Sequence, residues 1–134
     1  MTVSFTSLVG FNYADGHTPR GNVIADPNGD LFGTTEYGGG FDKGTVFEIA
    51  KTATGYASSP TTLVSFNSFN GATPVAGLIA DAKGDLFGTT SQGGSSNEGT
   101  VFDRQNRERL CEHSDHPRQL QRRQRLPPPW GPYC

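Results

Sequence analysis

The feature that most constrains this chain is that it repeats itself at a fixed distance. Leu8-Val9-x-Phe11-Asn12 returns as Leu63-Val64-x-Phe66-Asn67, and Gly16-x-Thr18-Pro19 returns as Gly71-x-Thr73-Pro74. Ile24-Ala25-Asp26 returns as Ile79-Ala80-Asp81, and the run from Gly29 to Thr35 returns unchanged from Gly84 to Thr90. Gly38-Gly39 becomes Gly93-Gly94, and Gly44-Thr45-Val46-Phe47 becomes Gly99-Thr100-Val101-Phe102. Every pair is offset by 55 residues, and 23 of the 40 positions from 8 to 47 are identical in the second copy. Such a period means one supersecondary unit used more than once, each copy too small to bury its apolar face alone. The chain divides into a first repeat at 1–55, a second at 56–103 and a remainder at 104–134.

Within one unit the pattern predicts four short strands. They fall at residues 61–66 (6–11 in the first copy), 78–81 (23–26), 85–90 (30–35) and 45–50. The last is expected to continue through Gly55-Tyr56. Apolar residues alternate along them, as a half-buried strand requires. Asp26-Pro27-Asn28-Gly29-Asp30 supplies a tight turn between the second and third strands, because Asn and Gly tolerate positive φ. No segment carries helical periodicity with caps. The expected fold is all-β, with two four-stranded antiparallel blades of a propeller-like, incomplete array and a disordered C-terminal tail. A parallel β-helix fits less well, since its coils are shorter.

Composition adds one division. Residues 1–102 hold four basic and nine acidic side chains, whereas 103–134 hold seven Arg and four acids. Seventeen of the 18 Gly precede Asp103, while both Cys and the single Trp follow it. No stretch is long and apolar enough to cross a membrane as a helix, and the N-terminus lacks the basic and apolar regions of a signal peptide.

The string N-x-x-x-G-x-x-P, followed by D-x-x-G-x-L-F-G-T-T-x-x-G-G-x-x-x-x-G-T-V-F, resembles the GloVer-type tandem repeat of large bacterial proteins that often carry a separate anchoring segment. The resemblance covers roughly residues 5–102. It implies a secreted or surface-displayed, propeller-like repeat array with no established chemistry. This chain departs from the pattern in lacking a signal peptide, an anchor and further repeats, so it reads as a truncated fragment whose own location is unknown.

The remainder has a reading of its own. Position 104 should repeat Ile49 and is Arg104. With suitable codons from Asp103 onward, skipping one base yields IAKTASGYASTPTTLVSFNGANG. The in-frame copy from Ile49 reads IAKTATGYASSPTTLVSFN. The tail is therefore expected to be a third repeat read out of frame. On that reading Cys111, Cys134, Trp130, His113, His116 and the Arg run carry no selected chemistry. The gene sequence decides this.

Candidate chemistry is sparse. Asp26, Asn28, Asp30, Asp81 and Asp85 suggest a calcium loop, but the distal Glu of such a loop is missing. Turn structure is the stronger reading, because Asx side chains bond nearby backbone N–H groups. Thr34-Thr35 and Thr89-Thr90 would line a channel or bind sugar, or are ordinary strand residues. Gly38-Gly39 precedes no Lys-Ser/Thr and reads as a turn. His17 is the only His of the two repeats and becomes Ala72 in the second. No catalytic, cofactor or metal residue is assigned. The leading expectation is a non-enzymatic structural or binding module, self-associating through exposed edge strands. The alternatives are a lyase or hydrolase on a propeller scaffold, or a nucleic-acid binder acting through the basic tail.

Overall fold

In the computed structural model, residues 2–105 are described, and every regular element among them is a β-strand. The strands are β1 (His17–Pro19), β2 (Ile24–Ala25), β3 (Leu31–Tyr37), β4 (Thr45–Ile49), β5 (Lys51–Thr52), β6 (Gly55–Tyr56), β7 (Thr61–Ser65), β8 (Ile79–Ala80), β9 (Leu86–Thr90) and β10 (Thr100–Arg104). All pairings are antiparallel. β3 and β4 form the central hairpin of a five-stranded sheet in the order β1-β3-β4-β7, with β2 also on β3. The second repeat forms a three-stranded sheet in the order β10-β9-β8.

The register repeats with the sequence. Leu31 faces Ile49 and Thr35 faces Thr45 in the first hairpin. Leu86 faces Arg104 and Thr90 faces Thr100 in the second. Even the His17–Tyr37 pairing of β1 survives, as a lone bridge between Ala72 and Gln92. Arg104, the first residue of the expected tail, is thus a strand residue. Ladder bonds use the backbone, so an Arg in place of Ile does not break them.

Glycine sets the closeness of each hairpin. A Cβ on Gly33 would lie 2.7 Å from the ring of Phe47, and one on Gly88 would lie 2.6 Å from the ring of Phe102. Each aromatic ring therefore covers the glycine opposite it. The rings extend the packing outward: Phe11 meets Phe47 edge-on at 4.9 Å, and Phe66 meets Phe102 in the same way at 5.0 Å. Edge-to-face contacts of this kind add about 1 kcal/mol beyond simple burial.

Three expectations need correction. The strands form one five-stranded and one three-stranded sheet rather than two four-stranded blades, because β7 of the second repeat joins the first sheet. Residues 6–11 form no strand, although their counterparts form β7. β7 is held by β4, which precedes it in the chain, and residues 6–11 have no strand preceding them among the described residues. Gly55-Tyr56 does not extend β4. It turns back on β5 as a separate hairpin, with Lys51 facing Tyr56. The remaining tail, with its expected disorder and out-of-frame origin, lies outside the described residues from 106 onward.

The core lies between the repeats. Phe32 and Val46 of the first sheet pack with Phe66, Leu78 and Leu86 of the second repeat, flanked by Ile24, Leu63, Val64 and Phe102. Each fully buried side chain of this size contributes about 1.5–3 kcal/mol. The repeat is thus the unit of sequence, and the pair of repeats is the smallest unit that closes a core.

Candidate functional site

The turn aspartates common to both repeats are engaged locally. Asp26 Oδ1 accepts the backbone N–H groups of Asn28 and Asp30, both at 2.9 Å. Asp81 Oδ1 does the same for Lys83 at 2.8 Å and Asp85 at 2.9 Å. Asp30 in turn accepts the Lys51 N–H at 2.7 Å. These are the Asx turns that the composition suggests, and Gly29 and Gly84 occupy the positive-φ position at 92° and 91°. Among the described residues no three His, Cys, Asp or Glu side chains converge as a metal site would require.

The threonines also split into defined roles. Thr35 and Thr45 are buried and share a hydroxyl contact of 2.9 Å, repeated by Thr90 and Thr100 at 2.8 Å. Thr35 Oγ1 further donates to the Tyr37 carbonyl at 2.9 Å, closing the end of the hairpin. Thr34 is buried too, but its hydroxyl donates at 3.1 Å to the carbonyl of Ala76 in the next repeat. Thr34 is therefore a contact between repeats, whereas its counterpart Thr89 is exposed.

A different cluster is formed by positions where the repeats disagree. Tyr13, His17, Tyr37 and Asp42 become Ser68, Ala72, Gln92 and Asn97 in the second copy. Pairing of β1 with β3 sets His17 beside Tyr37. His17 stacks on Tyr13 at 4.6 Å and on Tyr37 at 5.6 Å, giving a three-ring pile. Asp42 closes one side, with its Oδ1 at 3.8 Å from His17 Nε2. The Gly38 N–H, and then the Tyr13 hydroxyl, bond the Asp42 carboxyl and hold it below the usual aspartate range. The same bond to Asp42 raises the Tyr13 phenol. Tyr37 is raised first by the charge of Glu36. Glu36 lies 3.3 Å from Arg20 Nε.

Chemically this is an exposed platform of stacked rings edged by a carboxylate and an ion pair. Stacked aromatic faces suit planar or cationic ligands and the apolar faces of sugars. Thr18 Oγ1 lies 2.8 Å from His17 Nδ1. The 3.8 Å gap to Asp42 is too long for the hydrogen bond that orients a catalytic imidazole. The sequence singles out His17 but not its three partners. Their signal is the list of differences between copies, which collects Tyr13, His17, Tyr37 and Asp42 at one end of one sheet.

Burial acts on one further carboxyl. Glu48 is raised, first by desolvation and then by the charge of Asp30, while Arg104 at the end of β10 opposes both.

A family model described as the Gloeobacter/Verrucomicrobia repeat matches residues 1–113. Comparison with curated proteins and with solved structures gives no match.

Proposed function

Because the chain belongs to the Gloeobacter/Verrucomicrobia repeat family, we propose that it is a non-enzymatic structural and binding module of a secreted or surface-displayed array. In that array each repeat acts as a propeller-like blade. One observation carries the reading. Asp26, Thr35, Thr45 and their counterparts spend their polar groups on their own repeat's backbone and on each other, leaving the common sequence to build the scaffold. Binding specificity then falls to positions that vary between copies, with the Tyr13–His17–Tyr37 pile as the surface in this chain.

The test is an assay of the full chain against a panel of polysaccharides and esters, read for both binding and turnover. Binding weakened by Tyr13→Ala and Tyr37→Ala, with no turnover, is the expected result. Turnover abolished by His17→Ala would sink the non-enzymatic reading in favour of a hydrolase or lyase. That second reading has the Thr18–His17 contact in its favour. Protease shaving of intact source cells tests the surface location. Solution scattering from a longer array tests the propeller, whose closed ring differs from an extended stack. The nucleic-acid reading depends on residues outside those described, and salt-dependent DNA binding by the full chain would support it.

A further inference from the structure

The first sheet shows what its counterpart in the second repeat is shaped to hold. On the first sheet, the Ala76–Gly77 backbone rests on Gly21, where a Cβ would come within 2.5 Å of the Ala76 carbonyl oxygen. Thr34 bonds that same carbonyl at 3.1 Å. Leu78 and Leu86 then enter against Phe32 and Val46, and all four are buried. Moving each position on by 55 residues gives Ala76, Thr89, Phe87 and Val101, with Ile79 in the place of Ile24. These residues line a shallow groove of about 340 Å³. Nothing among the described residues covers it: Val101 is 80% exposed where Val46 is 0%, and Ile79 is 68% exposed.

The complementary surface is also present and uncovered. Val23, the counterpart of Leu78, is 52% exposed where Leu78 is 4%. Leu31 is only half-buried where Leu86 is fully buried. One chain therefore carries both halves of its own internal interface, each uncovered by the described residues.

We propose that the groove of Ile79, Phe87, Thr89 and Val101 binds the first repeat of a second copy of this chain, head to tail, with Val23 and Leu31 entering as Leu78 and Leu86 do internally. The interface is heterologous, so assembly continues beyond the dimer into a ring or an open stack. It differs from edge-strand pairing, because the contact lies on the sheet face. The inference stands whether or not the module is catalytic. The contact between copies is weaker than the one within the chain, since Ala76 puts a methyl group where Gly21 leaves room for the incoming backbone.

The experiment is sedimentation of the full chain across a concentration series, with face variants alone and mixed. The wild type assembles with rising concentration. Val23→Asp removes one face and Ile79→Asp/Val101→Asp the other, each weakening association about 30-fold or more, as loss of a central contact does. Mixed together, the two variants form a 1:1 dimer that grows no further, because each retains the face the other lacks. Ala76→Gly tightens association by about 5-fold or more by relieving the overpacking. Thr89→Arg, at an exposed position, blocks the groove should the Asp variants fail to fold. A monomeric wild type at every concentration would overturn the proposal, as it would if residues 106–134 filled the groove instead. Equal assembly by all variants would indicate edge pairing and overturn it too. So would a Val23→Asp chain that still dimerises alone, which would mean that two grooves meet each other.

Discussion

Val46 and Val101 occupy the same place in the same strand of the same repeat, yet one is wholly buried and the other almost wholly exposed. Their local sequences are identical from Gly44 to Phe47 and from Gly99 to Phe102. What differs is the neighbour. The first sheet is completed by β7 and covered by the second repeat, while among the described residues the second sheet has three strands and an uncovered face. Burial in this molecule is a property of a repeat's position in the stack, not of the repeat.

The sharpest way to break that comparison is a charge at each valine. Val46→Asp should destabilise the chain by about 3–5 kcal/mol or prevent folding, because the carboxylate is buried without a partner. Val101→Asp should cost less than about 0.5 kcal/mol, as exposed substitutions do. Urea unfolding followed by fluorescence measures both, and equal losses would mean that the faces are equivalent in solution. Next comes the leucine pair. Leu86→Ala should cost about 3 kcal/mol and Leu31→Ala clearly less, since only Leu86 leaves a closed cavity. Midpoints at matched m-values decide this. A smaller effect separates the threonines. Thr34→Val removes the bond to the Ala76 carbonyl and should cost about 1 kcal/mol, whereas Thr89→Val should be close to neutral.

The smallest expected effect concerns pH. Asp42 bonds the Gly38 N–H at 2.9 Å, and Asn97 bonds the Gly93 N–H at 2.8 Å with a group that does not titrate. The folded Asp42 carboxyl is held below its unfolded value of about 3.9. Its contribution is therefore complete above that value and is lost as pH falls through the folded one. Amide exchange, corrected for its intrinsic pH dependence, should show Gly38 losing protection below about pH 4 while Gly93 does not. Asp42→Asn should abolish the difference, and parallel behaviour of the two amides in the unaltered chain would refute it.

Much of this architecture was legible because the repeat writes each turn twice. The Asp-x-x-Gly-Asp turns, the Gly-Gly loop and the central hairpins follow from residues that act within a few positions of themselves. The antiparallel all-β fold and the strand at 61–65 follow in the same way. The absence of a strand at 6–11 could not be read locally, because β7 is held by pairing with β4 and no described strand pairs with residues 6–11. The Lys51–Tyr56 hairpin was hidden for a related reason: the β4 ladder ends at Ile49 and the next begins at Lys51 without a change in strand propensity. The platform around His17 was half legible. His17 stood out as an unrepeated residue, but its contact with Asp42 depends on how the loop from Gly38 to Gly44 folds back over β1.

The pairing of β7 with β4 has a consequence for how the chain is made. A sheet whose last strand belongs to the following repeat cannot finish until that repeat has begun to emerge from the ribosome. Synthesis from the N-terminus then runs one strand ahead of completion. Each new repeat closes the sheet of its predecessor and leaves its own open. Domains that fold as separate units during translation can pause between one and the next. A chain built this way has no such resting point, because the seam between one copy and the next runs within a sheet, between β4 and β7.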